Sequence, residues 1–199
     1  MTTAERRGRP RNAAVDTAVV EAVLRLLEEG TPLGRLSIEG IAREAGVGKA
    51  TVYRRWSGKE PLLLDVMRSL EEEAPELTGT SARDDLVLLL EFLRRRGLAK
   101  RSSAVFRAVL TEVKSHPRLW KEYQDTVIQA RRDAVYEVLR RGRAAGEIRA
   151  DAELELLTDL FTGPMLARAV LHEWQELPEG LAERIVDTVL EGVRPRSGA

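Results

Sequence analysis

From Val15 to Leu190 the apolar residues recur at spacings of three and four, and no segment sustains the two-residue alternation of a half-buried strand. That period admits helices and excludes a sheet, so the chain is expected to be all-α, with about nine helices. Val15, Ala18, Val19, Ala22, Val23, Leu26 and Leu27 share the buried face of the first helix, which Gly30 stops. Ser37 suits the N-cap of a short second helix burying Ile38, Ile41, Ala42 and Ala45. After Gly46 a third short helix runs through Thr51 to Trp56. The run Ser57-Gly58-Lys59-Glu60 fits a capping box that opens a fourth helix, carried by Leu63, Val66, Met67 and Leu70 towards Glu73. The break from Ala74-Pro75 to Gly79-Thr80 marks a domain boundary. The expected division is a basic arm over 1–11, a head over 12–73 with its linking fourth helix, and a second all-α domain over 80–194.

In the second domain Ser81 and Asp84 cap a fifth helix whose run Leu86 to Leu90, with Phe92 and Leu93, is too apolar for a one-sided surface helix and should be central. Ala104 to Val113 forms a sixth. Ser115-His116-Pro117 starts a long seventh, with Leu119, Trp120, Tyr123, Val127, Ala134, Val135 and Val138 on its inner stripe, ended by Gly142 to Gly146. Asp151 opens an eighth reaching about His172, and Pro178 opens a ninth with Leu181, Ile185, Val186, Val189 and Leu190 inward.

Composition narrows the function. At 199 residues and 43% hydrophobic the chain can bury a sizeable core. It has no run of roughly 18 apolar residues for a membrane span, and no apolar stretch follows Arg6 and Arg7 as a secretory signal would require. A cytoplasmic protein without membrane attachment is expected. The absence of cysteine excludes disulfides, thiolate metal sites and cysteine nucleophiles. His116 and His172 stand on separate segments and do not form a zinc site, so neither a metal nor a cofactor is expected. Gly46-Val47-Gly48-Lys49 is not a phosphate loop: the first required glycine would fall at Arg43, Ala50 follows the lysine, and a helix precedes. The paired acids Asp84-Asp85 and Glu71 to Glu73 read as charged helical surface, and no nucleophile elbow is present. No catalytic constellation remains, and an enzyme is not expected.

The net charge of zero hides an asymmetry. Residues 1–60 carry eleven Lys/Arg against eight Asp/Glu, hence +3, and residues 61–199 carry twenty-one against twenty-four, hence −3. Arg6, Arg7, Arg9 and Arg11 form one basic group, and Lys49, Arg54, Arg55 and Lys59 another. One end of the molecule is thus suited to a polyanion, with ordinary solvated surface as the alternative that charge alone leaves open. Residues 37–56 supply the means: two short helices joined at Gly46, with Ala42 and Ala45 small enough for a close crossing and Val47 filling the corner. In such a helix–turn–helix the second helix enters the major groove while the first lies across the backbone. Lys49, Thr51, Tyr53, Arg54 and Arg55 offer donors to bases and phosphates; Val52 and Trp56 can face inward.

The stretch G-V-G-K-A-T-V-Y-R-R-W-S-G-K-E-P-L-L-L (46–64) resembles the signature of the tetracycline-repressor family of bacterial regulators, and the likeness to the family's head covers about residues 12–70. R-R-G-R-A-A-G-E-I-R-A-D (140–151) and D-L-F-T-G-P-M-L-A-R (159–168) resemble the C-terminal domain of one of its branches. The resemblance implies a three-helix DNA-binding head, a linking fourth helix, and an all-α domain that dimerises and binds a small molecule. It places Lys49, Ala50 and Thr51 where base edges are read, with Ala50 limited to a thymine methyl. Tyr53 matches a phosphate-contacting tyrosine and Lys59 a phosphate-gripping lysine. Arg55 stands where many members have histidine, Trp56 where many have phenylalanine, and Gly58 replaces a usual serine or asparagine. Ser37 and Arg54 join the DNA-facing set.

In the arm, R-G-R-P (7–10) resembles the core of an AT-hook, with arginines directed into a narrow A·T minor groove. A basic tail adding non-specific attraction fits the same residues. The resemblance also implies a pocket among helices five to eight, for which Phe92, Phe106, Trp120, Tyr123, Tyr136, Phe161 and Met165 are candidates; core packing is the alternative for each. The eighth and ninth helices are the expected dimer surface, with Gly163-Pro164 suiting a kink or a close crossing. The expected function is a dimeric, ligand-responsive repressor on a palindromic double-stranded operator, released by a small-molecule effector. The alternatives are a DNA-architectural protein, or an all-α sensor or enzyme with a vestigial head.

Overall fold

In the computed structural model the helices start and stop where a side chain or a glycine takes over the orphaned backbone groups of the helix ends. The structure describes residues 13–99, 104–105, 107–109, 115–168 and 176–193. Among them are nine α-helices with described bounds, a further short helical stretch, and no strand. The chain divides into two compact units, Met1–Ser69 and Leu70–Ala199.

The first unit opens with α1 (Ala13–Glu28), which buries Val19, Ala22, Val23, Leu24 and Leu27. A single 3-10 turn, Leu33–Arg35, leads to α2 (Ile38–Glu44), and the Ser37 hydroxyl accepts the Gly40 N–H at 3.1 Å as its cap. At the far end of α2, Gly46 takes φ +67°, so its N–H reaches the Arg43 carbonyl (3.2 Å) and the Val47 N–H reaches Ala42 (2.9 Å). This paired closure uses the left-handed conformation that glycine adopts without a Cβ penalty, and it aims the chain into α3 (Lys49–Tyr53). Then α4 (Lys59–Ser69) buries Leu62, Leu63, Leu64, Val66 and Met67. Val19, Ile41, Val52, Leu62 and Val66 are fully buried, and α1 packs on both α2 and α4. The fourth helix stops at Ser69 and does not reach Glu73. Its next carbonyl, on Leu70, accepts from Arg96 Nη1 at 2.8 Å, and Glu71 is taken by Arg96 and Arg131. Three successive glutamates beyond that point also oppose the dipole at a helix C-terminus.

The second unit is organised around α5 (Ala82–Leu98), which packs against α7 (Gln129–Ala144), α8 (Leu154–Leu166) and α9 (Leu181–Val193). The Ser81 hydroxyl caps α5 by accepting the Asp84 N–H at 3.0 Å, and Leu86 and Leu90 lie wholly buried at the centre with Val138, Leu139, Phe161, Met165 and Val186. Residues 104, 105 and 107–109 are helical. The long seventh helix is continuous but carries a π-helical turn: α6 (Pro117–Tyr123), the turn (Gln124–Ile128), then α7. Within the turn the Gln129 N–H reaches back five residues to Gln124, and the Thr126 hydroxyl donates to the Glu122 carbonyl at 2.6 Å.

Gly142 does not end α7. It lies inside the helix, where a Cβ would sit 2.6 Å from the Ala82 Cβ and 3.2 Å from Ile148 Cδ1, so it is the glycine that lets α5 and α7 touch. Gly146, at φ +75°, is the stop. The eighth helix begins at Leu154, three residues beyond Asp151, and its expected end at His172 lies outside the described residues. The ninth begins at Leu181.

Asp85, unlike its neighbour Asp84, is not part of a charged helical surface. Its carboxylate is fully buried and accepts from Arg141 Nη2 (2.7 Å), the Thr78 N–H (2.8 Å), the Thr78 hydroxyl (3.0 Å) and the Gly79 N–H (3.1 Å). Burial alone would raise its pKa; the bonds from Arg141, Thr78 and Gly79 outweigh that and hold it below the ordinary aspartate range. Glu147 accepts the Ala82 N–H at 2.9 Å, so the start of α5 is tied both to its leading loop and to the end of α7.

Candidate nucleic-acid interface

The five residues of α3 are too few to hold a helix by themselves. Two anchors fix them: Val52 is fully buried, and Trp56 just beyond is buried with its indole N–H donating to Asp65 Oδ2 at 2.8 Å. With those two inward, Lys49, Ala50, Tyr53 and Arg54 are left exposed and Thr51 half-buried. This is one face carrying an ammonium, a methyl, a hydroxyl, a phenol and a guanidinium, the mixture that contacts phosphate and base edges. The Arg54 guanidinium donates to Thr51 Oγ1 at 3.0 Å, which holds it along the helix.

Lys49 is organised further. Its ammonium pairs with Glu39 of α2 and lies 5.6 Å from the centroid of the Tyr53 ring, one turn along. The hydrogen bond to Lys49 pulls the Glu39 carboxyl below its usual range, and the same bond raises Lys49, so both are charged at any physiological pH. Glu39 was absent from the sequence-derived site. Its only signal was its position near the start of α2, ten residues before the lysine, and an acid beside a basic cluster is not what charge counting selects.

The remaining candidates are held more firmly. Arg55 pairs with Asp16 of α1, and its side chain is mostly buried. The Lys59 ammonium donates to the Leu33 carbonyl at 3.1 Å, which leaves part of its donor capacity for an anion. Ser37 is exposed with its oxygen used by the Gly40 N–H and its own proton free to be given. Arg6, Arg7, Arg9 and Arg11 lie outside the described residues.

The candidate pocket residues do not form one group. Phe92 lies under the Arg96 guanidinium, whose carbon is 5.7 Å from the ring centroid, and Trp120 and Tyr123 are neighbours at 6.2 Å. Tyr123 is buried, and burial pushes its phenol upward in pKa against the lowering charge of Arg131. Phe161 and Met165 belong to the packed core of α5, α7, α8 and α9. Tyr136 is 40% exposed. It follows Val135 by one residue, about 100° around the helix, and so leaves the buried face of Val135, Val138 and Leu139. Phe106 lies outside the described residues. Among the described residues no three His, Cys, Asp or Glu could hold a metal ion, and no helix is long and apolar enough to cross a membrane.

Comparison with known proteins accords with this geometry. Residues 20–66 match the family described as bacterial regulatory proteins, tetR family, and residues 75–189 match the tetracyclin repressor-like C-terminal domain. The chain is 29% identical over 196 residues to the uncharacterized HTH-type transcriptional regulator YdeS of Bacillus subtilis, covering 96% of each. Among solved structures it resembles MexZ, a repressor responsible for antibiotic resistance in Pseudomonas aeruginosa, at 19% identity and TM-score 0.74, over 91% of this chain and 95% of that one. It also resembles SmeT, solved in complex with triclosan, at 19% identity and TM-score 0.68, over 92% of each. At such identities these two likenesses are of fold.

Proposed function

Because this chain belongs to the tetR family of bacterial regulatory proteins, and is a DNA-binding transcriptional regulator and not an enzyme, we propose that it is a cytoplasmic repressor that binds a palindromic operator as a homodimer and leaves it when a small molecule binds. The observation that carries the reading is the exposed face of α3, where Lys49, Ala50, Thr51, Tyr53 and Arg54 stand outward because Val52 and Trp56 are buried behind them. In the bound state α3 lies in the major groove, with Lys49, Ala50 and Thr51 at base edges. Tyr53, Arg54, Lys59 and Ser37 then meet phosphates, and Arg55 serves mainly to hold the head together through Asp16.

Dimerisation is assigned to α8 with α9 alongside. Leu156, Leu160 and Leu166 of α8 are exposed, and a Cβ at Gly163 would meet nothing within 4 Å. Leu156, Leu160 and Gly163 follow helical spacing, so an apolar stripe with a smooth patch faces outward. The outward side of α9 is polar, with Glu183, Arg184, Thr188 and Glu191 exposed, which suits the rim of such an interface. A two-fold dimer would present its recognition helices about 34–36 Å apart, one turn of DNA. The effector is an apolar compound bound in the second unit near Phe92, Trp120 and Tyr123; SmeT, of similar fold, forms a complex with triclosan. It acts only through unequal affinity for the DNA-competent and incompetent states.

Fluorescence anisotropy with the DNA flanking its own gene, beside scrambled DNA and over several salt concentrations, tests the function. Selective binding lost in Tyr53→Ala/Arg54→Ala is the expected result. Equal affinity for scrambled DNA with a steep salt slope would instead favour an architectural protein. Removal of residues 1–10 should weaken binding and lower any preference for flanking A·T; unchanged affinity and salt slope would exclude the arm.

A further inference from the structure

The Glu39–Lys49 pair is an odd component for a surface that meets a polyanion. A lysine destined for phosphate contributes most when unpaired, yet this ammonium is neutralised by a carboxylate from the neighbouring helix. Both partners are exposed and share the outward face with Ala50 and Tyr53. The carboxylate would repel the phosphate backbone if that were its neighbour, so the pair suits a place where a donor awaits it.

We infer that Glu39 and Lys49 together read one G·C base pair in each half-site, with Glu39 as a specificity-determining residue. This rests on the operator-binding reading above. Of the three ammonium donors of Lys49, one is spent on Glu39 and two remain. Only guanine presents two adjacent acceptors, N7 and O6, on its major-groove edge; adenine would set its N6 amino group against the ammonium. The cytosine paired with that guanine offers its N4 amino group beside O6, and it is the donor a carboxylate accepts from. Glu39 has the capacity: besides Lys49 it is engaged only by its own backbone N–H among the interactions that shift it, and a carboxylate has about four acceptor positions. The side-by-side cation and anion thus complement the acceptor, acceptor, donor order of one G·C edge. The Tyr53 ring beneath Lys49 limits the ammonium's wandering, so the reader is organised before DNA arrives.

The test is selection of bound sequences from a library of random duplex DNA by the full chain and by Glu39→Gln, Glu39→Asp and Lys49→Gln. Affinities for the wild-type consensus and its single-base variants are then measured by anisotropy. Glu39 is exposed, and thermal melting of each variant should match the wild type. The wild type should select a palindrome with one G·C pair in each half-site whose replacement by A·T weakens binding about 5- to 150-fold. Glu39→Gln should reduce that penalty to about threefold or less and leave the other positions' preferences intact. It should also bind scrambled DNA more tightly with a steeper salt dependence, since the freed lysine can turn to phosphate. Unchanged base preference at every position in Glu39→Gln would overturn the inference, as would adenine chosen at the responsive position. A wild type that enriches no sequence would refute the operator reading itself, a different failure from a consensus indifferent to Glu39.

Discussion

Replacing Asp85 by alanine should be among the most costly single substitutions in the C-terminal unit outside its apolar core, and replacement by asparagine should cost somewhat less. The carboxylate has no exposed surface and accepts from Arg141, from Thr78 twice and from Gly79. A hydrogen bond to a charged group contributes roughly 1.5–3 kcal/mol, and breaking a buried charge pair costs about 3–5 kcal/mol because the partner is stranded. Arg141, however, is 39% exposed and can turn to water. The lower end therefore applies, about 3 kcal/mol for Asp85→Ala. At roughly 2–4 °C per kcal/mol for a chain of this size, the melting temperature should fall by about 6–12 °C. Asp85→Asn keeps the shape but turns one acceptor into an amide donor facing other donors, so about 2 kcal/mol is expected.

The pH dependence gives a second reading of the same site. Because the folded carboxyl lies below its unfolded value of about 3.8, its contribution is complete above that value. It is lost as pH falls through the still lower folded pKa. Urea unfolding followed by circular dichroism should show a gap between wild type and Asp85→Asn that is constant from about pH 5 to 8 and narrows only below about pH 4. A loss of under about 2 °C at pH 7, or a gap that widens on acidification, would refute the assignment of Asp85 as the buried tie of the α5 lead-in.

Four further outcomes are expected. Gly142→Ala places a methyl 2.6 Å from the Ala82 Cβ and should cost about 1–3 kcal/mol in thermal melting, whereas Gly192→Ala, in open space on α9, should stabilise by about 0.5–1 kcal/mol. Gly46→Ala forces a Cβ into φ +67° and should destabilise the first unit by about 1–2 kcal/mol, read as a lower urea midpoint, with nearby atoms offering no clash to blame. The double variant Leu156→Glu/Leu160→Glu should sediment as a monomer at micromolar concentration with its melting temperature little changed; a persistent dimer would move the interface off α8.

Helix boundaries were legible where one residue carries the reason: Ser37 and Ser81 cap as their positions suggested, and Gly46 turns the corner before α3. The exposed face of α3 was legible for a related reason. In so short a helix, naming Val52 and Trp56 as inward leaves the rest outward. What escaped depended on neighbours remote in the chain. Nothing local distinguishes Asp85 from Asp84, yet one is sealed in by Thr78, Gly79 and Arg141 and the other is exposed. Gly142 looked like a stop because its role is set by Ala82, sixty residues earlier. Glu39 was passed over because its meaning comes from Lys49 across a turn.

The π-helical turn at Gln124–Ile128 amounts to one surplus residue stored inside an otherwise regular rod. Each residue of an α-helix advances the phase by about 100°. The surplus therefore sets the buried stripe of Leu119, Tyr123 and Val127 out of step with that of Val135, Val138 and Leu139. Excising any one position from the turn would mend the hydrogen-bond ladder and spoil the fit, swinging one stripe off its neighbours while leaving every helix intact. A relative whose sequence aligns here with a one-residue gap should thus show compensation upstream: its inward apolar positions before the gap should be displaced along the chain by one.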